Sequence, residues 1–415
     1  MTAPTTATAK VDQTDERLQQ SEGVAGALQA FLRSVRAGDV GALPVVVGLL
    51  VIGTIFQVLN PVFLSSGNLV NLILDSCAVG VISLGIVCVL MVGEIDLSVG
   101  SVSGLTGAIV AVLFVRHDWN WVLAVLVACV VACLIGLLYG VLLTNLGMPS
   151  FVSSLSGLLA FLGLQLAILG DQGSVNLPFD SQLVSFAQLD FVPPWLSYVL
   201  AAVAAAALFA SGYETMVRRR RVNLSARSVQ VLALRSVALL VVLEVVVWYL
   251  NQDRGVGWMV VLFVALVLAL NYGLTRTRWG RSLTAVGGNA EAARRSGIDV
   301  RRVYLSAFVL CSLLAAVGGI LAAGRLASAN LSSGTGDVNL NAIAAAVIGG
   351  TSLFGGRGSA FSALLGTLVI ASIASGLTLL NLDSSYRFVI TGLVLAVAVG
   401  IDSLARKSRA SHGRA

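Results

Sequence analysis

Four acidic residues stand where acids are costly. Asp75, Glu94, Asp96 and Glu244 lie inside or between long apolar stretches, in NLILDSC, MVGEIDLSVGSVSGL and LVVLEVVVWYL. A charge in hydrocarbon is tolerated when it faces protein or water, so each is a candidate for holding a proton or an ion. Around residues 94 and 96 the chain is also rich in glycine and serine, which weaken a helix. Two readings follow: an ion or proton site, or a structural break and gate in a pathway for another solute. In the second, Gly93, Glu94, Asp96, Ser98 and Gly100 form the break. Asp96 is then placed to cap a helix starting near Leu97, and Glu94 to pair with an arginine of the cytoplasmic loops. No basic partner stands nearby in sequence to complete a proton relay, which favours the break. Asp75, with Asn68 and Asn71, either lines a hydrophilic path or makes a hydrogen bond between helices. Gln165, Asn271 and Thr351 are further uncharged polar side chains suited to such a lining, whereas Glu244 reads as structural.

The elements that must position these groups are membrane helices. Of 415 residues, 57% are hydrophobic and 11% charged, with a mean hydropathy of +0.93. A soluble domain carries about 25% charged residues, so most of this chain's surface belongs in lipid. Eight runs, 40–74, 76–93, 119–170, 191–213, 255–275, 303–324, 338–356 and 358–382, contain no Asp, Glu, Lys or Arg. A spanning helix needs about 20 apolar residues, so several runs hold two. Breaks at NPVFLSSGN, TNLGMPS and SLFGGRGS divide them. The expected fold is an all-α polytopic transmembrane bundle of about 12 crossings, near 43–62, 68–92, 98–115, 119–143, 150–170, 194–212, 229–250, 256–274, 303–323, 338–352, 360–380 and 386–404. The tenth is short enough to be a re-entrant segment.

Arginine placement orients the bundle. Arg218 to Arg221 with Arg227 and Arg235 form one cluster, residues 276–302 carry seven more arginines, and Arg406, Lys407 and Arg409 follow the last crossing. Twelve crossings put all three on one side, which the positive-inside rule makes cytoplasmic, with both termini. Arg116, Arg254, Arg325 and Arg387 are assigned to the opposite loops. The expected organisation is a polar tail over 1–42, a transmembrane domain over 43–405 with a cytoplasmic loop at 275–302, and a basic tail over 406–415. The tail shows no signal-peptide pattern. Leu28, Phe31, Leu32 and Val35 recur at helical spacing, which suits either a helix on the inner membrane surface or an extension of the first crossing.

Several chemistries find no support. Five cysteines lie in apolar runs without a CxxC, and the two histidines are far apart, so a disulfide framework or a metal site is not expected. No nucleophile–base constellation suggests an enzyme, and no cofactor is expected. The two lysines are Lys10 and Lys407, and no GxxxxGK[ST] phosphate loop exists. If ATP drives the protein, a separate subunit hydrolyses it. GSVSG at 100–104 and GLLYG at 136–140 have the spacing that lets helix backbones approach closely. The segment AVGGNAEAARRSGID predicts a short self-capped helix: Asn289 as N-cap, Glu291 in the first turn, Arg294 and Arg295 in the last, and Gly297 as a left-handed stop. So short a helix needs something to pack on, either this protein's own helix ends or a partner.

The segments GEIDLSVGSVSGL, GRSLTAVGGNAEAARRSGIDV and NAIAAAVIGGTSLFGGRGS together resemble the permease subunits of bacterial ABC sugar importers of the ribose, xylose, arabinose and galactose group. The resemblance runs from about residue 45 to 405. The xylose permeases share a further feature, two extra helices before the coupling loop, here near 194–250, added to a ten-helix core. What the resemblance implies is a permease homodimer in the cell membrane with separate ATP-binding cassette subunits inside and an extracytoplasmic sugar-binding protein outside. The substrate it implies is a monosaccharide, a pentose such as D-xylose. It also implies that Gly287, Gly288, Asn289, Glu291, Ala292, Arg294 and Gly297 couple the chain to the ATPase. The readings set against it are an ion-coupled secondary carrier using the four carboxylates, and an ABC permease for nucleosides or branched-chain amino acids.

Overall fold

A computed structural model describes residues 43–383, and beyond them residue 26 and scattered positions between 385 and 400. The interfacial helix near 28–36 and the basic tail lie outside the described residues, and the crossing at 386–404 lies largely outside them.

Helix ends follow local capping chemistry. After α1 (Leu43–Leu59), the Ser65 hydroxyl accepts from the Asn68 amide and opens α2 (Ser66–Met91). An irregular segment, 92–98, leads to α3 (Val99–Val115). Asn120 caps α4 (Trp121–Leu146), left-handed Gly147 ends it, and Pro149 precedes α5 (Ser150–Leu169). The loop expected at 171–193 is not featureless. It holds β1 (Ser174–Asn176) and α6 (Gln182–Val184), which continues as a π turn over Ser185–Leu189. Then come α7 (Pro194–Arg221), α8 (Val229–Leu250), α9 (Trp258–Arg276), α10 (Arg278–Gly288), α11 (Ala290–Arg295) and α12 (Val300–Leu326). β2 (Ser328–Asn330), α13 (Asp337–Ile348) and α14 (Ala360–Leu379) complete the described fold. β2 pairs antiparallel with β1, Val175 opposite Ala329.

Each of the first eleven expected crossings is a helix. Among the described residues eight helices are long and apolar enough to cross a membrane, and Leu43–Leu59, Val99–Val115 and Asp337–Ile348 are shorter apolar ones. The twelve residues of α13 rise about 18 Å, short of the roughly 30 Å hydrocarbon layer. It is entered through the loop 331–336, which runs past Gly100 and Gly104 of α3.

The chain divides into two compact units. The larger, 41–191 with 256–415, is built around α2, which is buried along most of its length. α12 runs antiparallel to it and also packs along α3 and α4. The GLLYG spacing serves that last contact: Gly136 faces the Phe308 carbonyl and Gly140 faces Leu305, so α4 and α12 touch backbone to backbone. Exposed leucines and valines such as Leu50, Val58, Leu126 and Leu134 give α1 and α4 lipid-compatible outer faces. The second unit contains α7 and α8, an antiparallel pair in the region of the extra helices. Met216, Ala226 and Leu232 pack at one end, and Asn251 donates to Ser197 at the other, 3.2 Å away. The Arg219 guanidinium donates to the Ser225 carbonyl, holding the turn, while Glu244 is half-buried in α8.

Candidate functional site

The three long motifs, far apart in sequence, meet at one end of the larger unit. α10 is amphipathic, with Gly280, Leu283 and Val286 buried on one face. Thr277 caps it, and the Trp279 indole donates to the Ser306 hydroxyl on α12 at 2.8 Å. Its last residues press Gly287 against the end of α2. A Cβ on Gly287 would stand 1.7 Å from the Met91 carbonyl oxygen and 2.6 Å from the Gly356 nitrogen. The Gly356 amide donates to that same carbonyl at 2.9 Å, and Gly93 and Gly355, both with positive φ, touch each other beside it. Three backbone segments, 287, 91–93 and 355–356, therefore touch through glycine, with no side chain between them.

α11 projects from this contact. The Asn289 side chain accepts from the Ala292 amide at 2.9 Å. Gly297 takes φ +87°, its amide donating to the Arg294 carbonyl and that of Ile298 to the Ala293 carbonyl. This is a Schellman stop. Glu291 pairs with Arg294 at 2.8 Å and Arg295 at 3.2 Å. Ala293 is the one buried residue of the helix, so Glu291, Ala292, Arg294 and Arg295 present an outward face.

Next to it runs the irregular segment 92–98. The Ser150 hydroxyl donates to Glu94 Oε2 at 2.6 Å and accepts from the Ile95 amide at 3.3 Å. Asn339 donates to the Leu97 carbonyl at 2.7 Å. Side chains of α5 and α13 thus replace the lost helical bonds, as non-helical backbone at membrane depth requires. Glu94, Leu143, Thr144, Arg294, Val300, Arg301 and Tyr304 line an open pocket of about 200 Å³.

Two expectations are corrected here. Among the described residues Glu94's hydrogen-bond partner is Ser150, not an arginine. Asp96 does not cap the helix. Its Oδ1 accepts from the Ser98 amide at 2.8 Å and hydroxyl at 2.7 Å, closing a turn before α3 begins at Val99. Asp96 is fully buried beside Cys311, about 16 Å along α12 from Val300. Ser98 and Gly100 are buried with it, Gly100 against Gly334 and Asn339.

The polar residues predicted to line a path do not converge. Asn68 donates to the Phe63 carbonyl and accepts from Ser375, tying α2 to α14. Asn71 and Asp75 both bind Arg325. Gln165 is buried and donates to the Asn330 and Ser333 carbonyls, each at 2.9 Å. Asn271 is half-buried on α9, and Thr351 is buried near the glycine contact. Sequence reasoning put Arg325 in a loop. It belongs to α12, and its partner is Asp75 on α2. Ser150, Asn339 and Tyr304 carried no local signal, because their roles exist only once distant helices meet.

A family model described as the branched-chain amino acid transport system permease component matches residues 68–399. The xylose transport system permease protein of Escherichia coli K12 is 34% identical over 83% of this chain and 87% of its own length. The corresponding protein of Haemophilus influenzae is 30% identical over 83% and 91%. The ribose import permease protein of E. coli K12 is 30% identical over 86% and 92%. No solved structure matches the chain.

Proposed function

Because the chain belongs to the family of branched-chain amino acid transport system permease components, we propose that it is the membrane-spanning permease subunit of an ATP-binding cassette sugar importer. Its relatives are named for xylose and ribose, and the substrate is a monosaccharide, a pentose such as D-xylose. A binding protein delivers the sugar on the outer side. Two copies of the chain, each with a cassette ATPase, form the working complex in the cell membrane, with both termini and the 275–302 loop in the cytoplasm.

The observation that carries this reading is the rigid link from α11 to the core. The outward face of Glu291, Ala292, Arg294 and Arg295 is the knob on which the ATPase acts. Gly287 hands its displacement to the end of α2 and to the 355–356 turn without intervening side chains. The adjoining segment of Gly93, Glu94, Asp96, Ser98 and Gly100 is the break that moves. An ion-coupled mechanism is less well supported, since Asp75 is neutralised by an arginine and Glu94 is held by a serine hydroxyl.

Glu291→Lys reverses the charge of the knob, and Gly297→Val forces a β-branched residue into the left-handed region. Both are expected to cut sugar uptake and sugar-stimulated ATP hydrolysis at least tenfold while the protein stays inserted and folded. Wild-type coupling in both would contradict the assignment.

A further inference from the structure

From Ser66 to Met91, α2 is buried or half-buried at every position except Asp75, whose side chain keeps 61% of its surface. Residue 75 lies nine positions, about 14 Å, inside a helix long enough to cross the hydrocarbon layer. A carboxylate at that depth is costly against acyl chains, which argues that its open side faces water. Arg325, in the last turn of α12, approaches from the protein side with only 19% of its side chain exposed. Its Nε donates to Asp75 Oδ1 at 2.8 Å and its Nη2 to Asn71 Oδ1 at 3.2 Å. Asp75 Oδ2 has no hydrogen-bond partner among the described residues. Asn71 precedes Asp75 by one turn and Asn68 by two, so the three share one face of α2.

This is a polar spot of zero net charge on an apolar wall. A free carboxylate oxygen accepts hydrogen bonds, and a guanidinium holds the carboxylate in place and has N–H donors to spare. A cation would be repelled by Arg325 and an anion by Asp75. A neutral polyol, whose hydroxyls both donate and accept, meets neither penalty. We propose that Asp75, held by an Arg325 that is itself anchored on Asn71, is a sugar-hydroxyl contact in the wall of the translocation path, at the end away from the coupling loop. The proposal rests on the importer reading and adds to it a named contact and a positioning residue.

The test uses the assembled complex of permease, ATPase and binding protein. Asp75→Asn should lower the maximal rate of xylose uptake tenfold or more in a complex that still assembles. The exchange Asp75→Arg with Arg325→Asp restores an ion pair but moves the accepting oxygen into the protein. It should leave uptake low, whereas a pair that merely joins two helices would be rescued. Asp75→Cys should react with a membrane-impermeant charged thiol reagent in the assembled complex, against the wild-type protein as background. Full uptake by Asp75→Asn, rescue by the exchange, or no labelling of Asp75→Cys would each overturn the proposal. The importer reading fails differently: the wild-type complex would take up no sugar at the expense of ATP.

Discussion

At the scale of single residues, neighbouring glycines divide sharply in what they tolerate. Gly287 has the Met91 carbonyl where a Cβ would go, whereas Gly288 faces open space. Gly287→Ala must push two backbones apart, which costs about 1–3 kcal/mol, and is expected to abolish coupled transport. Gly288→Ala should stay within about 0.5 kcal/mol of wild type. Thermal unfolding and uptake measured on both variants check this, and equal behaviour of the two would contradict the close contact. The α11 caps at Asn289 and Gly297 were legible in sequence because capping is local: residue type and spacing decide it. The partners of Glu94 and Asp75 were not, since Ser150 and Arg325 lie 56 and 250 positions away.

At the scale of elements, hydrophobic run length located the crossings well, because a spanning helix needs a fixed length of apolar chain whatever surrounds it. What it could not foresee is irregular backbone at membrane depth. The segments 92–98 and 331–336 look in sequence like loops between helices, yet both are tied into the bundle by distant polar side chains. Gln165 is the clearest case. Its amide holds the Asn330 and Ser333 carbonyls, fixing the entry to α13. Gln165→Leu removes both bonds; the Asn330 carbonyl keeps the Ser333 amide, while the half-buried Ser333 carbonyl loses its side-chain donor, at about 1–3 kcal/mol. Hydrogen exchange of the 331–336 amides should accelerate at least tenfold, with a lower unfolding temperature. Unchanged protection would show that the loop is held by something else. The GSVSG and GLLYG spacings gave the close contacts but not their partners, which are the 333–334 backbone and α12.

At the scale of the whole molecule, the proposed orientation rests on charge patterning and the proposed route of force on the glycine contact. Cysteines placed at Asn223 and Ser282 should react with an impermeant thiol reagent in inverted vesicles alone, and one at Asp180 in right-side-out vesicles alone. The reverse pattern would invert the topology and remove α11 from the ATPase's reach. Family membership and the relatives' names agree with a sugar permease that lacks its own phosphate loop, so dependence on partner subunits is the central claim. Its most direct test is labelled xylose uptake in cells without their own pentose systems. The chain is expressed alone or with its cassette ATPase and binding protein, each with and without a protonophore at maintained ATP. Uptake is predicted in the complete set alone and unaffected by the protonophore. Uptake by the chain alone that collapses with the ion gradient would contradict the account.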